Sequence, residues 1–162
     1  MFEARTIVSS AGKTDFYRDL RRQLDGLLDE ERDPIANAAN TSALLFALMP
    51  DLNWAGFYFL RGDELVLGPF QGKPACVRIG IGKGVCGAAA ASGKSLVVED
   101  VDDFPGHITC DAASRSELVV PLLRDGALLG VLDLDSPLVA RFDMDDRLGI
   151  EAVAECYVRL SR

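Results

Sequence analysis

The sequence predicts an α+β fold, with helices from both chain ends packed on one face of a mainly antiparallel sheet. Two observations carry that reading. Apolar residues recur at helical spacing near both termini, and the strand-like runs between them pair across tight turn signals. With 162 residues the chain fits one domain, residues 1–162, large enough to bury a core.

From Thr14 to about Arg32, residues Phe16, Leu20, Leu24, Leu27 and Leu28 share one helix face. Asp33 and Pro34 suit a cap and a first turn, and Ile35, Ala38, Ala39, Ser42, Leu45, Phe46 and Met49 continue a second helix to near Pro50. "WAGFYFL" and "ELVLGPF" flank Arg61-Gly62-Asp63 as a hairpin. A short strand is expected around "CVRI", a small-residue helix through Ala88 to Ala91, and a strand at "SLVVED". "SELVVPLL" and "ALLGVLDLD" form a second hairpin across Arg124-Asp125-Gly126, and a closing helix starts at Asp143.

Composition limits the function. Hydrophobic residues make up 49%, but the longest apolar runs fall far short of the ~20 residues of a membrane span. The N-terminus carries acidic residues and no apolar signal core, so a cytoplasmic protein is expected. A net charge of −8, with no basic stripe among aromatics, argues against nucleic acid and suits a small zwitterion or cation. The four cysteines, Cys76, Cys86, Cys110 and Cys156, lack CxxC pairs and do not form a secretory disulfide pattern. They are either buried filler or chemistry.

Cys86 lies just before the alanine-rich run, and Cys110 precedes Asp111-Ala112-Ala113-Ser114, a segment able to open a short helix capped by Asp111. Amide hydrogens at a helix start stabilise a thiolate, so both thiols are expected to be reactive, with Gly84 and Gly87 leaving the backbone at Cys86 mobile. Cys76 stands near a strand start. Cys156, inside the last helix, is expected to pack in the core.

A second constellation is acidic. In "GVLDLDSP" strand alternation sets Leu129, Val131, Asp133 and Asp135 on one face and Leu128, Leu132 and Leu134 on the other. Glu117, on the preceding strand, joins the carboxylates only if the turn has three residues or the hairpin carries a bulge. The three-residue turn would set Glu117 opposite Asp133. Converging carboxylates cannot all stay ionised cheaply, which would provide both a neutral acid and an anion for an ammonium group. Trp54 and Tyr58, four apart, share a strand face with Gly56 and can wall a pocket. His107 forms H-x-x-C with Cys110, but the spacing is wrong for paired zinc ligands and no metal is expected. "GIGKG" lacks the rest of a Walker motif.

"NWAGFY", "LGPFQGKPACVRIGIGKGVCG", "VEDVDDFPGHITCDAASRSELVVPL" and "GVLDLDSP" closely resemble the free methionine-(R)-sulfoxide reductases, a family of single GAF domains. The likeness runs from Trp54 to Phe142 with compatible helices on both sides. It implies a cofactor-free oxidoreductase acting against oxidative stress, a homodimer, with free methionine (R)-sulfoxide as substrate and thioredoxin as reductant. By that resemblance Cys110 attacks the sulfoxide sulfur, Cys76 resolves the sulfenic acid as a disulfide, and Cys86 is the auxiliary or alternative third cysteine. Glu117, Asp133 and Asp135 would bind the substrate and protonate its oxygen, and Trp54 and Tyr58 would receive its methyl and sulfoxide end. The segment around Cys86 and the loop through His107 would move so that Cys76 and Cys110 can meet. Two other functions fit a GAF domain: a non-catalytic ligand-binding sensor and a thiol redox sensor.

Overall fold

The computed structural model describes residues 2–7 and 12–162. The expectation against a signal core therefore falls partly outside the described residues. Among those described, no helix is long and apolar enough to cross a membrane.

Two helices lead the chain, α1 (Lys13–Leu28) and α2 (Pro34–Leu48). α1 stops short of the expected Arg32 because Asp29-Glu30-Glu31-Arg32 brings no apolar side chain to bury, and the Arg32 guanidinium instead donates to the Leu28 carbonyl at 3.2 Å. α2 starts as the sequence predicts. Asp33 Oδ1 accepts from the amides of Ile35 (2.9 Å) and Ala36 (2.8 Å), with Pro34 in the first turn.

Six strands follow: β1 (Trp54–Arg61), β2 (Glu64–Gly72), β3 (Arg78–Gly80), β4 (Leu96–Val98), β5 (Ser116–Arg124) and β6 (Ala127–Ser136). They form one sheet in the order β3-β2-β1-β6-β5-β4, antiparallel at every pairing. Between β3 and β4 lies α3 (Gly84–Ser92), and α4 (Met144–Leu160) closes the fold. Asp143 caps α4 in a reciprocal box with Asp146, whose Oδ2 accepts from the Asp143 amide at 2.9 Å.

The sheet's two faces are covered differently. α1, α2 and α4 bury one face, where Ala55, Phe57, Leu118, Val120, Leu132 and Leu134 meet Leu20, Leu24, Leu45, Ile150 and Val153. Each such large side chain contributes about 1.5–3 kcal/mol. α3 and the long loops cover the other face around Trp54, Tyr58, Val119 and Val131.

Both hairpins turn more tightly than expected. Arg61 pairs with Glu64, so only Gly62 and Asp63 form the first turn. Arg124 pairs with Ala127, leaving Asp125 (φ 51°) and Gly126 (φ 79°) as a two-residue turn with both residues left-handed. The three-residue loop is therefore not formed. A bulge restores the odd-to-odd register: Leu122 pairs with Gly130 but Leu123 with Leu128, which leaves Leu129 as the extra residue. Below it Glu117 faces Asp135, not Asp133, and Asp133 faces Val119. The bulge also corrects the faces above it. Leu129 packs toward the helices and Leu128 toward α3, the reverse of simple alternation.

Candidate active site

On the α3 face, Trp54, Tyr58, Ile79, Val85, Cys86, His107, Cys110, Glu117, Asp133 and Asp135 line one pocket, leaving about 40 Å³ for water-sized occupants. β1 supplies its aromatic wall. Trp54 and Tyr58 stack with ring centroids 5.9 Å apart, and Phe70 of β2, which sequence reasoning did not single out, stacks on Trp54 at 5.3 Å. β5 and β6 supply the acidic floor, because positions 117, 133 and 135 all fall on this face of the paired strands.

Cys76 and Cys110 form a disulfide at the rim, with Cα atoms 5.6 Å apart. In this state the two sulfurs are joined. Both cysteine loops are tethered. The Tyr58 hydroxyl donates to the Cys76 carbonyl at 2.9 Å, and Trp54 Nε1 donates to the Lys73 carbonyl at 3.2 Å. On the other side Asn53 Nδ2 donates to Asp111 Oδ2 (3.2 Å) and to Ser114 Oγ (3.0 Å), and Lys73 pairs with Asp111 at 3.4 Å. Asn53, Lys73 and Ser114 lie within the quoted family-like stretches but were assigned no role; the folded register brings them to the loop.

Two expectations about the thiols fail. Asp111 caps a turn and not a helix: its Oδ1 accepts from the Ala113 amide at 2.9 Å, but no helix follows, so Cys110 does not sit at a helix start. Cys86 lies in the first turn of α3 and not before it, fully buried, with Sγ 3.9 Å from Glu117 Oε1. Burial, with Asp133, Glu117 and Asp135 nearby, pushes its thiol pKa well up, which overrides any helix-start effect. Gly87 is packed so closely that an added Cβ would collide with the Gly80 carbonyl, so the glycine is needed here for fit. Cys156 packs in the core as expected; its Sγ lies 3.0 Å from Asp25 Oδ1, and burial first, then Asp25, raise its pKa to about 11.

The acids behave as convergence demands. Glu117 is 5% and Asp133 6% exposed. Burial pushes all three carboxyls well above the usual range, reinforced by Asp135 at Glu117, by Glu117 at Asp133, and by Asp133 at Asp135. Asp133 Oδ1 is buried without a hydrogen-bond partner. His107 Nε2 stands 3.6 Å from Glu117 Oε2, so the histidine faces a carboxylate of the floor; burial holds its pKa below the ordinary value. Among the described residues Cys86, Glu117 and Asp133 form the group able to hold a metal ion, a set different from the cysteines and histidine weighed by spacing. The pocket thus unites a redox-capable thiol pair with three buried carboxyls whose pKa values are all raised.

A sheet of this order, with a pocket between α3 and its open face, defines a GAF domain, and the GAF domain model matches residues 19–155. Within that class, the free methionine-R-sulfoxide reductase of Escherichia coli (strain K12) is 54% identical over 138 residues, covering 85% of this chain and 84% of that protein. The solved structure of free methionine-R-sulfoxide reductase from Neisseria meningitidis in complex with its substrate superimposes with a TM-score of 0.94 at 44% identity, covering 99% and 95%. A chain from Burkholderia vietnamiensis described as a GAF sensor protein has a TM-score of 0.90 at 58% identity, covering 93% and 96%. The chain belongs to the free methionine-R-sulfoxide reductase family of GAF domains.

Proposed function

We propose that this chain, as a single GAF domain over residues 1–162, reduces free methionine-(R)-sulfoxide to methionine. The observation that carries the reading is the Cys76–Cys110 bond at the rim of a pocket floored by Glu117, Asp133 and Asp135. The Cys110 thiolate attacks the sulfoxide sulfur while a protonated carboxyl gives its proton to the oxygen, which is a poor leaving group until protonated. The hydroxyl passes from the substrate sulfur to Cys110 Sγ as the transient sulfur–sulfur bond breaks, so methionine leaves with the electron pair and Cys110 becomes the sulfenic acid. The Cys76 thiol then attacks that sulfur, expelling water and closing the disulfide. A thioredoxin-class dithiol returns the pair to thiols by exchange.

Recognition follows from the same floor. An ionised carboxylate holds the α-ammonium, and Trp54 and Tyr58 enclose the methyl and sulfoxide end. A peptide-linked methionine sulfoxide has no ammonium and would leave a buried acid unpaired, which excludes it. Cys86 supports the acids and not the electron transfer. In this reading the enzyme is a cytoplasmic homodimer that needs no cofactor and serves against oxidative stress.

The test is a single turnover without recycling reductant. Reduced wild type should release one methionine per chain and lose the Cys76 and Cys110 thiols. Cys76→Ser should release the same methionine and accumulate a sulfenic acid that dimedone traps, whereas Cys110→Ser should release none. Unchanged thiols and no methionine would instead mark a ligand sensor, and thiol loss with peroxide alone a redox sensor.

A further inference from the structure

The buried end of the pocket holds more ligand chemistry than sulfoxide reduction requires. We propose that Cys86, Glu117 and Asp133 form a binding site for a zinc-class divalent cation, and that the ion excludes the substrate's ammonium group from the same carboxylates. The cation site rests on geometry alone; only its competition with substrate rests on the functional reading above.

Cys86 Sγ and one oxygen from each carboxylate lie within 4.8 Å of one another, and Sγ is 3.9 Å from Glu117 Oε1. Bond lengths of about 2.3 Å to sulfur and about 2.0 Å to oxygen at a tetrahedral angle place those two ligands about 3.5 Å apart. The pocket needs only a small contraction to reach that geometry, within the reach of side-chain rotation. All three residues are buried, and Asp133 Oδ1 is enclosed without a hydrogen-bond partner of normal geometry, beside the Cys86 thiol and the Glu117 carboxyl.

The donor set chooses the ion. A thiolate with two carboxylates favours zinc over magnesium or calcium, which prefer oxygen throughout. Three protein ligands leave a fourth position open toward the pocket, the arrangement of zinc sites that exchange a water or a small ligand. His107 Nε2 stands 3.6 Å from the other oxygen of Glu117, a contact within the same pocket and not a hydrogen bond. On binding, Cys86 gives up its thiol proton and Glu117 and Asp133 give up any proton they hold, all to solvent, and no electron moves. Cys86 also stays a free thiol while Cys76 and Cys110 are bonded, so the redox cycle does not consume the site.

Cobalt titration of the reduced full chain without oxygen tests the site, because a tetrahedral thiolate-bound cobalt ion absorbs through sulfur-to-metal charge transfer. The expected band saturates at one ion per chain, is displaced by zinc, and persists in the Cys76→Ser/Cys110→Ser variant. Cys86→Ser should abolish it. Asp133→Asn, which keeps the side-chain shape, should weaken binding by more than the roughly 10–100-fold lost when only a partner behind a ligand is removed. Absence of the band, its survival in Cys86→Ser, or its loss in Cys76→Ser/Cys110→Ser overturns the site. Free methionine sulfoxide added to the Cys76→Ser/Cys110→Ser variant should raise the apparent cobalt dissociation constant; an unchanged constant overturns the competition. Failure of the function itself is read separately, as absent methionine release from metal-free wild type.

Discussion

The two faces of the sheet are built from alternate residues of the same strands, yet they follow opposite rules. On β6, Leu132 and Leu134 sit in an apolar core under the terminal helices, while Asp133 and Asp135 line the pocket from the neighbouring positions. Burial gains free energy on the first face. On the second it forces carboxyls to hold protons and leaves Asp133 Oδ1 without a partner. The helical face thus stabilises the fold enough to maintain a pocket face that is electrostatically unfavourable, as sites shaped for reaction commonly are.

Substitutions on adjacent residues should separate these roles. The largest effect is expected from Asp133→Asn, which removes an acid without changing shape. Its kcat/KM for free methionine sulfoxide should fall about 10²–10⁴-fold, the usual contribution of a positioned acid. Its urea midpoint should stay equal or rise. A variant that kept activity but lost stability would reverse the division between faces. Next comes Leu132→Ala on the other face, which should lose about 2–5 kcal/mol of unfolding free energy through lost burial and a residual cavity. Below its unfolding range it should keep kcat/KM within a few-fold, and a selective loss of turnover there would show that the faces are not separable.

The same contrast explains what could be read in the sequence. The helical face was legible because Leu20, Leu24 and Leu28 recur at the helical period, and because Asp33 and Asp143 cap through local bonds. The carboxylate convergence was legible only as a condition, since it depends on whether the β5–β6 hairpin gains a residue. The bulge at Leu129 supplies it; Asp125-Gly126 favours the two-residue turn that forms, but nothing in the residue types around Leu129 marks the bulge that restores the register. The error on Cys86 has the same origin. A thiol near a helix start looks activated until the opposing strands bury it and place Asp133 and Glu117 beside it. The family resemblance named the same residues, but it carried none of these contacts.

A pH titration of stability probes both faces with the smallest changes, because a proton held by only one state alters stability by about 1.4 kcal/mol per pH unit. Unfolded Asp and Glu titrate near about 4. Glu117, Asp133 and Asp135 keep their protons to higher pH when folded, so above about pH 4 the folded chain binds more protons than the unfolded one. Their contribution is complete at acid pH and is lost as pH rises through the folded values. Asp143 behaves oppositely. A hydrogen bond from Lys13 at 2.6 Å leads the causes that bring its carboxyl down to about 2, so its stabilisation is present above about pH 4 and disappears as pH falls toward 2. Solvent screening keeps that acid limb shallow, since Asp143 is half exposed. Urea midpoints across this range should therefore show two limbs with separate origins. Asp135→Asn should flatten only the fall at higher pH, and Lys13→Met only the rise at low pH. If either substitution flattened both limbs, the two faces would titrate as one coupled network, and the pocket's unfavourable charge could not be assigned to its own side of the sheet.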